Sequence, residues 1–196
     1  MSKDNKTHQH IVEAAFQLFA EHGIEKTSLT MIATEVGITK PAIYYHFASK
    51  DALLDYLFDQ LFGNYTFSHF FTITDFTADN FAELLIENGL KLLPSAEEDY
   101  AVLRVFNQFL LSVSQKEKYR DKLRLMQEDF LQGFTSLLER GIELGVVKPD
   151  RVVAKAHILA LVVDNISNYM LMGIELDQRD IWTETVRSVL TESKKQ

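Results

Sequence analysis

Cysteine is absent from the 196 residues, which removes disulfide frameworks, zinc–thiolate sites and cysteine nucleophiles together. Glycine and proline are scarce, at eight and three. Residues that interrupt helices therefore stand at under half their usual share, which excludes collagen-like and linker-like classes and favours helix. Long hydrophobic runs are also missing. The longest aliphatic stretch, residues 158–163, falls far short of the roughly 20 residues that a bilayer requires. The opening Met-Ser-Lys-Asp-Asn-Lys-Thr has no apolar core of a signal peptide. A soluble cytoplasmic protein with no membrane association is expected. Enzyme signatures are equally absent: there is no glycine-rich phosphate loop, no HExxH and no G-x-S-x-G. The six histidines show no metal-binding spacing, so neither catalysis nor a metal or cofactor is expected.

What is present is an ordinary globular composition, 46% apolar and 24% charged, sufficient for a core. The net charge is −8, at first sight unfavourable to nucleic acid, but it is unevenly spread. Residues 1–50 hold five lysines and five carboxylates, and the surplus of 23 acids over 15 bases lies in residues 51–196. Between Gly37 and Lys50 stand Lys40, His46 and no acid. A phosphate backbone responds to charge within a Debye length of roughly 8 Å, so an acidic bulk is compatible with an electropositive tip.

Ile11, Ala14, Ala15, Leu18 and Phe19 recur with helical spacing, and Gly23 ends that helix. Thr27 and Ser28 offer hydroxyl caps for a short helix over 29–36. After the Gly37-Ile38 turn, Thr39 is an expected N-cap for a helix over 40–47, with Pro41 in its first turn. Ser49 is placed to cap a fourth helix carrying Leu53, Leu54, Leu57, Phe58, Leu61 and Phe62. Residues 64–76 lose periodicity. Further helices are expected over 78–93, 97–114, 117–144, 151–172 and 178–191. Nothing reads as strand, and the fold class expected is all-α.

Two short helices about a glycine turn, the second preceded by a hydroxyl residue, form a helix-turn-helix pattern. Its second helix carries Lys40, Tyr44, Tyr45 and His46, types that reach phosphates and base edges from a major groove. The same spacing also suits a helical hairpin whose aromatics are core.

Leu18-Phe19, Gly23, Thr27, Ile32-Ala33, Gly37-Ile38-Thr39, Ile43-Tyr44, His46-Phe47, Ser49-Lys50 and Leu53-Leu54 resemble the N-terminal signature of the TetR family of transcriptional regulators. The likeness runs without a gap over about residues 10–54. Beyond them it extends only to length, helix content and a Gly145…Pro149-Asp150…Val163-Asp164 pattern. The resemblance implies a helix-turn-helix DNA-binding domain over 1–49 and a helical-bundle effector-binding and dimerisation domain over 50–196. It implies a homodimeric regulator, a repressor in particular, bound to a palindromic double-stranded operator and released by a small-molecule effector. By position, Thr27, Thr39, Tyr44, His46 and Lys50 correspond to phosphate contacts, and Lys40, Pro41 and Tyr45 face the groove. Pro41 and Ala42 depart from the glycine and hydroxyl residue often found there, so no base-reading rule transfers. The other reading open to the sequence is a TetR-like coactivator or adaptor that binds protein and not DNA.

Fourteen phenylalanines and seven tyrosines are either core or lining for a partly apolar ligand. The effector residues expected are Phe62, Tyr65, Phe106, Phe109, Phe134, Asn165 and Tyr169. The all-round apolar segment 158–163 needs cover on every side. The helix pair 151–172 and 178–191 is therefore the expected dimer interface, and the fourth helix the expected coupling rod.

Overall fold

The computed structural model describes residues 3–112 and 117–190, and among them there is no strand. The helices, in order, are α1 (Lys3–His22), α2 (Leu29–Val36), α3 (Lys40–His46), α4 (Lys50–Phe62), α5 (Phe67–Phe70), α6 (Phe81–Leu90), α7 (Glu97–Ser112), α8 (Glu117–Glu143), α9 (Val152–Leu171) and α10 (Gln178–Leu190). None of them is long and apolar enough to cross a membrane. The all-α expectation holds, and its boundaries hold to within a residue or two for most helices. Residues 64–76, where periodicity fails, contain the single turn α5 and a 3-10 turn at Ile73–Asp75. The sixth helix starts at Phe81 and not at 78, because the Asn80 side chain accepts from Thr77 N (2.8 Å) and donates to Asp75 O (3.0 Å). That closes a turn in place of a helical one. The expected ends at 114 and 191 lie outside the described residues.

The chain divides into two compact units, Met1–Asn64 with Glu97–Tyr119, and Tyr65–Ala96 with Arg120–Gln196. In the first, Ile11, Ala15, Phe19, Ile32, Ile43, Leu53, Val105 and Phe109 are nearly or fully buried, the inward stripes of α1 to α4 and α7. Phe58 and Phe62 on α4 pack edge-on against Phe109 at 5.0 and 6.1 Å. The α4 side chain Asp55 accepts from the buried Tyr119 hydroxyl (3.0 Å) and pairs with Lys118 at 2.7 Å. Burial and this carboxylate push the Tyr119 hydroxyl well above the ordinary tyrosine range.

In the second unit, Phe67, Phe71, Phe81, Phe134, Leu137, Leu159, Val163 and Trp182 form one core. Trp182 donates its indole N–H to Ile86 O at 3.1 Å. Gly89 lets the indole approach α6, since a Cβ there would lie 2.3 Å from ring atoms. The α9 face bearing Ala156, Leu159, Ala160, Val163 and Ile166 is buried. On its other side Ile158, Leu161, Tyr169 and Met172 are exposed, Met172 by 73%. Segment 158–163 is thus covered on one side within its own chain and bare on the other.

Candidate functional site

Local sequence builds the α2–turn–α3 segment. Ser28 Oγ accepts from Met31 N at 3.2 Å and caps α2. Gly37 ends it at φ 74°, a left-handed conformation that glycine adopts without steric cost. Its N–H and that of Ile38 return to Thr34 O and Ala33 O. Pro41 sits in the first turn of α3, where its missing N–H costs nothing. Thr39 does not cap α3 as expected. Its backbone is extended, as a cap requires, but its side chain makes no capping bond.

Ile43 and Phe47 are buried and anchor α3 from below. Thr39, Lys40 and Pro41 are exposed on the other side, with Tyr44 at 48% and Tyr45 at 76%. His46 is half-buried and meets the Tyr45 ring edge-on at 5.2 Å. Behind it His8 of α1 packs on Phe47 (4.6 Å) and Tyr56 (4.8 Å), with the His46 ring 6.0 Å away. Burial, and then repulsion from His46, lower the His8 pKa. The result is a small exposed surface with a lysine, two tyrosine hydroxyls, a threonine hydroxyl and an imidazole, and no carboxylate from Gly37 to Lys50.

Two residues expected on this surface are otherwise engaged. Thr27 is buried, and its hydroxyl donates to Leu18 O (3.1 Å) and Gly23 O (2.9 Å). Its hydroxyl is thereby held at the α1–α2 turn. Lys50 donates its ammonium to Ile24 O and, at 3.5 Å, to Glu25 O. It closes the same turn from α4, and its charge is directed to carbonyls of its own chain.

The expected ligand residues are distributed over both units. In the first unit Phe62 packs on both Phe106 and Phe109. Phe134 is wholly buried against Phe67 and Phe71, and aromatic packing leaves it no open face. Asn165 is exposed and donates to Leu161 O on its own helix at 2.9 Å, and Tyr169 is 49% exposed. Tyr65 lines a cavity of the second unit, together with Leu92, Met126, Gln127, Phe130, Val163, Asp164 and Ser167. Tyr65 lies 5.2 Å from the Phe130 ring, tilted by 33°. Asp164 hydrogen-bonds Gln127, but loss of water outweighs that bond and pushes its carboxyl up to about 6. Burial, and then the Asp164 charge, raise the Tyr65 hydroxyl well beyond its ordinary value. Gln127 on α8 and Asp164 and Ser167 on α9 carry no joint sequence signal, because they meet only through the packing of two helices. The Val163-Asp164 step, a carboxylate following an apolar run, was the one available signal.

Residues 11–57 match the model of bacterial regulatory proteins of the tetR family. The transcriptional repressor BepR of Brucella suis is 29% identical over 175 residues, which cover 86% of this chain and 82% of that protein. The regulator AcrR of Shigella flexneri is 29% identical over 63% of this chain, a match that spans about half (47%) of its own length. Among solved structures, SmeT in complex with triclosan superposes with a TM-score of 0.70 at 19% identity, over 96% of this chain and 93% of that one. SmeT represses a multidrug efflux pump of Stenotrophomonas maltophilia. At that identity the likeness is one of fold.

Proposed function

The chain belongs to the TetR family of bacterial transcriptional regulators, and on that premise we propose that it is a repressor, bound to a palindromic operator as a homodimer and released by a small-molecule effector. The observation that carries the DNA half is the exposed side of α3. The hydroxyls of Thr39 and Tyr44 and the His46 imidazole meet phosphates, and Pro41 and Tyr45 face the major groove; Lys40, placed toward the groove by the resemblance, is reassigned to a phosphate because Lys50 is engaged at the α1–α2 turn. Thr27 and Lys50 support this contact from behind, by holding the α1–α2 turn. The DNA-binding role falls to residues 1–49, the effector and dimer roles to 50–196, and the protein works in the cytoplasm.

The bare stripe of α9 supports a homodimer. Ile158, Leu161, Tyr169 and Met172 recur on one exposed face, and contiguous exposed apolar surface marks an interaction site. A two-fold axis then presents two copies of α3 to half-sites one helical turn of DNA, or a multiple of it, apart. Among the expected effector residues, Tyr65 at the second unit's cavity carries the ligand half; Phe62, Phe106, Phe109 and Phe134 serve as core, and Asn165 and Tyr169 belong with the α9 stripe.

The test is selection of bound duplexes from a genomic pool, with light scattering on the free protein. An enriched palindrome and a dimer mass are expected. No enrichment at low salt would instead favour an adaptor that binds protein.

A further inference from the structure

Side chains that tell bases apart in a major groove are ordinarily forked or amide donors, arginine or lysine on guanine and asparagine or glutamine on adenine. Between Leu18 and Asp59 the sequence contains no arginine, asparagine or glutamine, and the first arginine of the chain is Arg104. Of the amides that precede this stretch, Gln9 is bonded to Glu13 at 2.9 Å and Asn5 is engaged. Gln17 lines a groove of α1 and α2 together with Glu13, Glu21 and Glu35, and three carboxylates there repel a phosphate backbone. Lys40 is assigned above to a phosphate. A tyrosine hydroxyl both donates and accepts, so Tyr44 and Tyr45 do not separate one base from another through it. What α3 presents instead is an apolar edge. Pro41 and Tyr45 stand one helical turn apart on one face. Pro41 is exposed, and Tyr45, at 76%, is the most exposed large apolar residue among the described residues. Ile43 and Phe47 hold α3 to the core from the other side, and the His46 ring braces Tyr45 edge-on at 5.2 Å. Proline and tyrosine lose little conformational freedom on contact. The major-groove feature that an apolar edge distinguishes is the 5-methyl group of thymine.

We infer that Pro41 and Tyr45 are the specificity-determining residues of α3, and that they select operator half-sites by contact with thymine methyl groups. The inference deepens the DNA reading above and rests on it, by assigning operators with A·T pairs beneath α3 that are chosen by methyl group and not by hydrogen-bond pattern. Thymine and 5-methylcytosine then offer these side chains the same contact. Uracil, which pairs as thymine does, lacks it.

The test uses the full-length protein and the duplex enriched by selection, with each thymine replaced in turn by uracil at the same position of both half-sites. At a contacted position affinity is expected to fall about fifteenfold, or about fourfold for each buried methyl group. With a C·G pair at that position, 5-methylcytosine is expected to bind tighter than cytosine by the same factor. Tyr45→Ala and Pro41→Ala remove exposed side chains, and an unchanged Tm confirms that each variant is folded. Each is expected to lose the sensitivity to uracil at its own position. Equal binding of every uracil duplex, no gain from 5-methylcytosine, a sensitivity that survives both variants, or enriched half-sites without a fixed A·T pair would overturn the inference and leave the DNA reading standing. Selection that enriches no duplex would overturn that reading, and this inference with it.

Discussion

Lys40 and Lys50 carry the same charge and serve different ends. Lys40 is exposed on α3, whereas the Lys50 ammonium is bound to carbonyls of the α1–α2 turn. Lys40→Ala is expected to leave thermal stability unchanged, weaken binding to every duplex alike and reduce the salt slope by about one. Lys50→Met leaves charge-accepting carbonyls unpaired and should cost about 1–2 kcal/mol, a fall in Tm of roughly 3–6 °C, measured by calorimetry without DNA. Asp164 gives a third residue-scale prediction. Its folded pKa, about 6, lies above the ordinary aspartate value of 3.8. Its contribution to stability is therefore present below the lower value and lost as pH rises through the higher one. A shift of that size on a fully buried group would amount to roughly 3 kcal/mol, and the exposure of Asp164 reduces this to about 1 kcal/mol. Asp164→Asn should raise Tm by about 2–4 °C at neutral pH and leave it unchanged once the wild-type carboxyl is protonated in acid.

At the scale of elements, each unit depends on a glycine, for a different reason. Gly37 has a left-handed φ with open space around it, so Gly37→Ala should cost only about 1 kcal/mol of strain. Gly89 has no unusual φ but lies directly beneath Trp182. Gly89→Ala should cost about 1–3 kcal/mol through overpacking and shift the fluorescence of Trp182, the sole tryptophan. The first role was legible in the sequence, as were the Ser28 and Ser49 caps, because each is settled within four residues. The Thr27 and Lys50 bonds reach back 9 and 26 residues, and no local pattern encodes them. The same holds for the cavity, whose Tyr65, Gln127 and Asp164 come from three separate segments. Aromatic content pointed to a pocket but could not separate Phe134, sealed in the core, from Phe130, which lines the cavity.

For the whole molecule, dimerisation and DNA binding should fail together. Leu161→Asp places a charge in the middle of the exposed α9 stripe and is expected to give a folded monomer by light scattering. Operator affinity should drop by orders of magnitude, since one half-site then binds without the other. The proposed DNA role rests on contact between α3 and duplex DNA. The most direct measurement is a salt titration of the selected operator complex, with wild type and Lys40→Ala compared side by side. Affinity is expected to fall steeply with salt, with a slope shallower by about one for the variant. A wild-type complex that is insensitive to salt, or a slope unchanged by removal of Lys40, would contradict it.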